Sequence, residues 1–219
     1  MYCHSYIFFD IEPSIHAVPA EILASYKTAF LQVLEAEKQV SIAAYATLGF
    51  RTNSRFLLHL HTEDVATLQR FVQKLVHTDL GKHLRITYTL LGLIRPTQYN
   101  SKHVPEEKQF IDGSGKYLIV YPFTKTIEWH LLPFEERREM MKEHVMTARK
   151  FSGSISQLLL YSYGVDDHEF IVSYLTDSLD DFQSLVMELR ATKGRLYTKN
   201  DLPIFLATYM SPDEALAMI

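Results

Sequence analysis

The chain has 219 residues, which is enough to bury a large core as one domain or as two small ones. Apolar residues make up 47% of the chain and charged residues 22%, a balance typical of a globular protein rather than a disordered one. The formal net charge of −4 provides no positive surface for nucleic acid or for an anionic membrane, and it argues against a function on either.

Cys3 is the only cysteine, which excludes an intrachain disulfide, a cysteine-rich zinc site and covalent attachment of a c-type haem. The longest apolar runs are well short of a membrane span, and the N-terminus has no basic segment followed by an apolar one. We therefore predict a cytoplasmic protein.

Hydrophobic periodicity divides the chain into two series of elements in the same order. The first half is predicted as strand 5–9, helix 19–38, strands 41–48 and 54–61, helix 64–80 and strand 85–94. The second half is predicted as strand 116–122, helix 133–150, strands 154–163 and 167–175, helix 178–191 and strand 203–210. Each half has the ferredoxin-like order β-α-β-β-α-β. The segment 95–115, with its prolines, glycines and charges, is predicted as the linker.

An internal repeat supports this division. Segment 62–75 matches segment 176–189 at a threonine, a glutamine, a valine and the final leucine, and Phe56 and Phe170 precede them at the same offset. Two such halves, residues 1–110 and 111–219, bury their sheets best by packing face to face. The prediction is one compact α+β unit, a dimeric α+β barrel of tandem ferredoxin-like repeats with the helices outside.

Strand 116–122 presents a tyrosine near a lysine. Period-2 alternation places Tyr117, Ile119 and Tyr121 on one face, and Pro122, which has no N–H to donate, is expected to end the strand. Tyr121 would then lie at the rim of the sheet, with Lys125 on the following turn. A phenol close to an ammonium group suits an acidic or redox-active ligand.

Helix 133–150 carries a single histidine within its apolar stripe. The predicted buried stripe consists of Phe134, Met141, Val145, Ala148 and Phe151. His144 falls inside that stripe, and two interpretations stay open: a core histidine hydrogen-bonded to the backbone, or an axial ligand of a metal or haem.

Other polar residues have two interpretations as well. Gln157 shares a strand face with apolar residues, so its amide either has a structural partner or points into a ligand pocket. Arg190 is either a partner of the helix dipole or a clamp on a ligand. The repeat carries Tyr121 back to about Ile7 and His144 back to about Phe30, which assigns any site to the second half.

His59 and His61 alternate on one strand face and could bind a metal ion, but two imidazoles without a third ligand are more often structural.

Several motifs together resemble the chlorite dismutase family and, within it, the coproheme decarboxylases, also described as haem-dependent peroxidases. The most specific stretch begins at Pro133 and ends at His144. The resemblance rests on Tyr121-Pro122-Phe123-Thr124-Lys125, Trp129, Leu132-Pro133-Phe134-Glu135-Glu136-Arg137-Arg138, His144, Arg149, Gln157, Gly164, Asp166, Asp167 and Glu188-Leu189-Arg190.

The resemblance implies a haem-type iron porphyrin, coproheme or haem b, with His144 as the proximal axial ligand of the iron. It implies that Tyr121 is the radical-forming residue beside a propionate, and that Lys125 is a charge partner or proton donor there. Arg190 would lie near a propionate, and Trp129 would belong to the cofactor site. The implied reaction is the oxidative decarboxylation of coproheme to haem b by hydrogen peroxide, in a homo-oligomer that is usually a ring of five in this family.

The resemblance also implies that Gln157 is on the distal side, where chlorite dismutases have an arginine, and this substitution argues against chlorite decomposition.

Some features depart from the family pattern. The connector between Lys125 and Trp129 is short, fewer cations flank the tyrosine motif, and no carboxylate that could hydrogen-bond the proximal histidine stands near residues 192–197. Two alternatives follow: a non-catalytic haem carrier or sensor on the same fold, and an α+β barrel that binds no haem and acts only in assembly.

Overall fold

The computed structural model describes residues 2–99 and 115–219 and has two halves with the same order of elements. The first half contains β1 (Cys3–Ile11), α1 (Ala20–Ala36), β2 (Ser41–Ala46), β3 (Phe56–Thr62), α2 (Val65–His77) and β4 (Leu84–Leu93). The second contains β5 (Tyr117–Lys125), α3 (Ile127–Leu131), α4 (Phe134–Ala148), β6 (Ile155–Tyr161), β7 (Phe170–Thr176), α5 (Leu179–Arg190), β8 (Thr198–Asn200), β9 (Phe205–Met210) and α6 (Pro212–Ala217). The predicted α+β class with tandem β-α-β-β-α-β order is confirmed. The short elements α3, β8 and α6 were not predicted.

The repeat holds at one constant offset. Strand β1 begins at residue 3 and β5 at residue 117, a difference of 114, and β3 and β7 begin at residues 56 and 170, again 114 apart. The helix caps repeat too: the Asp64 side chain accepts a hydrogen bond from the Thr67 N–H at the start of α2, and Ser178 accepts one from the Asp181 N–H at the start of α5. The offset therefore pairs Tyr121 with Ile7.

The sheets of the two halves have equivalent strand orders. The first is β4-β1-β3-β2 and the second is β6-β7-β5-β9, with every pair antiparallel. They meet where Leu93 of β4 pairs with Tyr161 of β6, and where β2 pairs with β9 from Ala44 to Ala46. The pairings thus form a closed circuit, which is the closure that the barrel prediction requires.

Gly92 allows the close approach at the first of these junctions. A Cβ atom at this position would lie 2.6 Å from the Leu160 Cβ and 3.0 Å from the Ser162 Oγ. Only a residue without a side chain fits between β4 and the second sheet here.

The described residues form three apolar layers of unequal density. One layer lies between the two sheets and contains Phe8, Leu57, Leu118 and Leu160. The outer layer of the first half, under α1 and α2, has twenty buried residues, three of which (Met210, Ala215 and Leu216) come from β9 and α6, whereas the outer layer of the second half, under α4 and α5, has five. The second half therefore has the looser helix layer.

Two local predictions were wrong. Strand β5 continues past Pro122 to Lys125, so Tyr121 lies within the strand and Lys125 at its end rather than on a turn. Pairing of β5 with β9 ends at Val120 and pairing with β8 begins at Thr124, so at Pro122 one side of the strand has no ladder partner and the missing N–H is tolerated.

The predicted stripe of α4 was wrong at two of its five positions: Met141, Ala148 and Phe151 are half-buried, but Phe134 and Val145 are exposed. Helix α4 has no fully buried residue, and Phe134 and Val145 are 41% and 40% exposed. Its half-buried face consists of Arg137, Met140, Met141, His144, Thr147 and Ala148.

Part of the predicted linker and the boundary predicted at residues 110 and 111 lie outside the described residues. Within residues 2–99 and 115–219, none of the helices has the length and apolar character needed to cross a membrane.

Candidate functional site

The candidate site lies on the helix-facing side of the second sheet. The strand register places Leu159, Val172 and Tyr121 in one row across β6, β7 and β5. The adjacent row on the same face contains Gln157, Tyr174 and Ile119, because side chains two residues apart share a face. The side chains of Tyr121 and Gln157 therefore point into the same layer, which lies between this sheet and helices α4 and α5.

Tyr121 is held with its phenol protonated. Burial raises the pKa of Tyr121, and a side-chain hydrogen bond with Tyr174 offsets part of that rise. The two rings are stacked with their centroids 6.1 Å apart. The Tyr121 hydroxyl is therefore available as a hydrogen-bond donor at neutral pH.

Lys125 is fixed by neutral groups. Its Nζ donates to the Gly194 carbonyl oxygen at 3.1 Å and to the Thr198 Oγ1 at 3.3 Å. Nζ also lies 4.5 Å from the centroid of the Trp129 ring. Burial and the nearby Arg195 lower the pKa of Lys125 to about 8. The ammonium group is thus mainly charged at neutral pH and close to losing its proton.

The Trp129 ring packs against the Lys125 ammonium group. The indole is 3% exposed and lies 5.7 Å, centroid to centroid, from the Tyr197 ring. Helix α3 places it there, since the Thr126 hydroxyl accepts a hydrogen bond from the Trp129 N–H and caps that helix. In the structure the indole contacts Lys125, and its predicted place in a cofactor site stays a prediction.

His144 is a neutral imidazole on the half-buried face of α4. Burial, followed by the charge of Lys125, lowers the pKa of His144 to about 4. Within the part of the chain that the structure describes, its ring has no hydrogen-bond partner. Neutral imidazole is the form of histidine that binds metal ions. The hydrogen bond to the backbone that the alternative interpretation required is not present among these residues.

In the first half, buried apolar side chains occupy the positions equivalent to His144 and Tyr121. The counterparts of His144 and Tyr121 are Phe30 and Ile7, which are 1% and 3% exposed and belong to one packed core. In the second half the corresponding helix α4 buries no side chain completely. The layer under α4 is therefore packed less completely than the equivalent layer under α1.

Gln157 lies on the helix-facing side of β6. Its side chain is exposed, and no hydrogen bond to it is found among the described residues. Of the two interpretations of Gln157, the amide with a structural partner is not found among the described residues. The amide is free to contact a ligand in that layer.

Arg190 belongs to a charged cluster that the sequence reasoning only partly identified. Its Nη2 lies 3.2 Å from the Asp201 Oδ2, and the Nη1 of Arg195 lies 3.0 Å from the same oxygen. Arg195 and Asp201 were missed, because a short 3-10 helix and an irregular segment give no hydrophobic periodicity to read. The concentration of charged groups soon after the end of α5 was the one available signal.

A cavity of about 310 Å³ adjoins this cluster. Tyr121, Arg190 and Asp201 line it together with apolar side chains. The remaining lining residues are Phe182, Gln183, Val186, Met187 and Ile204. A ligand with an apolar body and an anionic edge would match both the walls and the cations.

His4 lies next to His59 and His61 in the first half. The Nδ1 of His4 lies 2.9 Å from the Nε2 of His59, and the rings of His4 and His61 are 4.3 Å apart. Even so, the described residues contain no group of three or more histidine, cysteine or acidic side chains arranged to hold a metal ion. We assign no site to this cluster.

Comparison with known proteins places the chain in a family. The family model described as "Chlorite dismutase" matches residues 20–210. The chain is 31% identical over 193 residues to a coproheme decarboxylase of Mycolicibacterium smegmatis, covering 87% of this chain and 82% of that one. It is 26% identical over 187 residues to a chlorite dismutase of Ideonella dechloratans, covering 81% of this chain and 66% of that one.

A solved structure is similar over nearly the whole chain. A mutant chlorite dismutase from Candidatus Nitrospira defluvii superposes with a TM-score of 0.91 at 25% identity, covering 99% of this chain and 94% of that one. The family match, the relatives and the tandem fold agree, and the chain belongs to the chlorite dismutase family.

Proposed function

We propose that this chain is a haem-dependent oxidoreductase that converts iron coproporphyrin, or coproheme, to haem b by oxidative decarboxylation with hydrogen peroxide. Proteins of this family bind a haem-type iron porphyrin, and the coproheme decarboxylase relative is more similar than the chlorite dismutase relative, at 31% against 26% identity. One observation supports the proposal: Phe30 and Ile7 are buried in the packed core of the first half, whereas α4, which carries His144, buries no side chain completely, and Tyr121 lines a cavity of about 310 Å³.

The residues of this layer fit such a group. His144 would bind the iron through its neutral imidazole, which has no hydrogen-bond partner among the described residues. Tyr121, Lys125 and Arg190 would contact the porphyrin carboxylates, because coproheme carries four of them and needs donors and cations at its edge. Gln157 would face the opposite side of the ring. Its neutral amide supports decarboxylation over chlorite chemistry, for which the family has an arginine at this place.

When bound, the iron porphyrin supplies the oxidising chemistry with peroxide, and the chain's own residues place and protect the reacting groups. Tyr121 keeps its hydrogen at neutral pH because burial raises its pKa, and Tyr174 fixes the direction of the phenolic oxygen. Lys125, with a pKa of about 8, holds a proton beside a carboxylate and can release it. Trp129 keeps the Lys125 ammonium group in position.

The proposed function is tested by mixing the purified protein with ferric coproheme and peroxide and following the product by mass spectrometry. We expect haem b, and we expect Tyr121→Phe to stop its formation without preventing porphyrin binding. Tyr117→Phe is the matched control, since Tyr117 lies on the same face of β5 and is likewise half-buried. Unchanged decarboxylation by Tyr121→Phe would remove Tyr121 from the mechanism.

A second candidate function is a non-catalytic haem carrier or sensor. It is favoured by the lack of a carboxylate partner for His144 among the described residues: the neighbouring Glu143 accepts a hydrogen bond from the Lys193 N–H at 3.0 Å instead. A proximal imidazole without such a partner is a weaker electron donor to iron. This candidate predicts a Soret band that His144→Ala abolishes, together with no conversion of coproheme above that of the free porphyrin.

The assembly state remains a proposal as well. We infer a homo-oligomer, a ring of five by the family resemblance, which would require a heterologous interface that closes. Sedimentation velocity of the purified chain measures the number of subunits, and a monomer at micromolar concentration would contradict the inference.

A further inference from the structure

The charged cluster beside Tyr121 contains more cations than the sequence suggested. Arg190 ends α5, and Arg195 lies in a 3-10 helix at Lys193–Tyr197 whose Gly194 carbonyl also accepts the Lys125 hydrogen bond. Both guanidinium groups approach a single carboxylate, that of Asp201, at 3.2 and 3.0 Å. Two arginines that converge on one carboxylate form a carboxylate-binding site by their chemistry.

The position of Asp201 suggests that it occupies this site only in part. Both arginines are closest to the same oxygen, Oδ2, and each guanidinium carries five N–H donors, so donors remain for a second acceptor. Residues 201–204 have no regular secondary structure, so Asp201 can move without breaking a strand ladder. The Asp201 side chain is 21% exposed and lines the same 310 Å³ cavity as Tyr121.

We propose that Arg190 and Arg195 form a propionate-binding site, that Asp201 occupies it in the porphyrin-free protein, and that a porphyrin carboxylate displaces Asp201 when it binds. The inference rests on the proposed function and extends it, because it assigns to Arg195 a contact that the resemblance does not supply. The displacement places one carboxylate arm beside the Tyr121 phenol, since Tyr121, Arg190 and Asp201 line one cavity. It also compensates for the small number of cations around the tyrosine motif.

The inference makes opposite predictions for the cation and for the anion of the cluster. Arg195→Ser removes a charge-assisted contact, and we expect it to weaken porphyrin binding about tenfold. Asp201→Asn removes the competing carboxylate and keeps the side-chain shape, so we expect severalfold tighter binding. Arg195→Lys keeps the positive charge and should retain more of the affinity than Arg195→Ser.

The experiment is a binding titration without peroxide, followed by quenching of the fluorescence of Trp129. This residue is the only tryptophan in the chain, and it packs under Lys125 next to the cluster. Ferric coproheme and metal-free coproporphyrin serve as probes, because the second reports carboxylate contacts without iron coordination. Arg70→Ser and Asp79→Asn are matched controls that make the same charge changes in exposed ion pairs of the first half.

The outcomes separate this inference from the proposed function. Tighter binding by Asp201→Asn with weaker binding by Arg195→Ser, for both probes, supports the displacement. Weaker binding by a folded Asp201→Asn, as judged by circular dichroism, would make Asp201 a positioning residue and overturn it. If the wild type binds and converts coproheme while both cluster variants behave like their controls, the inference alone fails. If the wild type binds neither probe, the proposed function fails and the inference with it.

Discussion

Exchanging two equivalent residues between the halves tests whether the second-half helix layer is open. The constant offset pairs His144 on α4 with Phe30 on α1, so His144→Phe gives the second half the side chain of the first. Phe30→His makes the reverse change at a position that is 1% exposed in a packed core. The two variants swap the same pair of side chains and differ only in their surroundings.

The structure gives the two changes opposite signs. At pH 7.5 the His144 imidazole is neutral, with a pKa of about 4, and has no hydrogen-bond partner among the described residues. A phenyl ring there adds buried apolar surface at a half-buried position, which stabilises the porphyrin-free protein by about 1 kcal/mol, or half the value of full burial. Phe30→His leaves a cavity and an unpaired polar ring in the core, at a cost of about 3 kcal/mol or more.

Urea unfolding of the porphyrin-free proteins at pH 7.5 measures both effects. For a chain of this length, a gain of about 1 kcal/mol also raises the melting temperature by roughly 2–4 °C. Ferric porphyrin at a hundred times its dissociation constant should stabilise the wild type by about 2.7 kcal/mol, and His144→Phe should lose most of this stabilisation. Similar losses of stability in both variants would show that the second-half layer is as densely filled as the first, and the reasoning would fail.

Three further predictions concern packing and protonation. Gly92→Ala should cost about 1–3 kcal/mol in urea unfolding, because its Cβ would lie 2.6 Å from that of Leu160, whereas Gly153→Ala, whose Cβ meets nothing within 4 Å, should be neutral. The free energy of unfolding of the wild type should rise between about pH 8 and 10.5, by up to about 1.4 kcal/mol per pH unit, because Lys125 binds its proton more tightly in the unfolded chain than in the folded one. Lys125→Met should lack this rise, and an identical pH profile of the two proteins would contradict the prediction. Burial lowers the pKa of His61, so the unfolded state takes up more protons than the folded state below pH 6.5. Between pH 7 and 5, His61→Phe should therefore lose less stability than the wild type, and equal losses would exclude His61 as a contributor.

The sequence predicted the architecture because the repeat is carried by local patterns. Alternating apolar residues and the phenylalanines at 56 and 170 mark equivalent strands in each half. Asp64 and Ser178, at equivalent positions, cap equivalent helices. Such signals depend on neighbours in the chain, and they survive in both halves.

The errors share a different cause. The apolar stripe predicted for α4 assumed that a helix on a sheet covers a filled core, but here the apolar residues Phe134 and Val145 are exposed and the half-buried face includes His144. Pro122 was expected to end β5, and only the gap between β9 and β8, which is a long-range feature, explains why it does not.

The charged cluster could not be obtained from the sequence for a similar reason. Arg195 and Asp201 lie in segments where no periodicity constrains the chain, and their contact depends on how the ends of α5, β8 and β9 meet. Candidate residues on regular elements, such as Tyr121 and His144, were found by pattern and resemblance, and their roles stay predictions.

The unequal packing of the two halves has a consequence for motion. A shell with five interior residues under α4 and α5 offers less resistance to opening than one with twenty under α1 and α2. Amide hydrogens of α4 should therefore exchange with deuterium sooner than those of α1, while the strands beneath both stay protected. We therefore expect the helix layer of the second half to open locally and admit a large planar ligand, while the more densely packed first half keeps the strand register fixed.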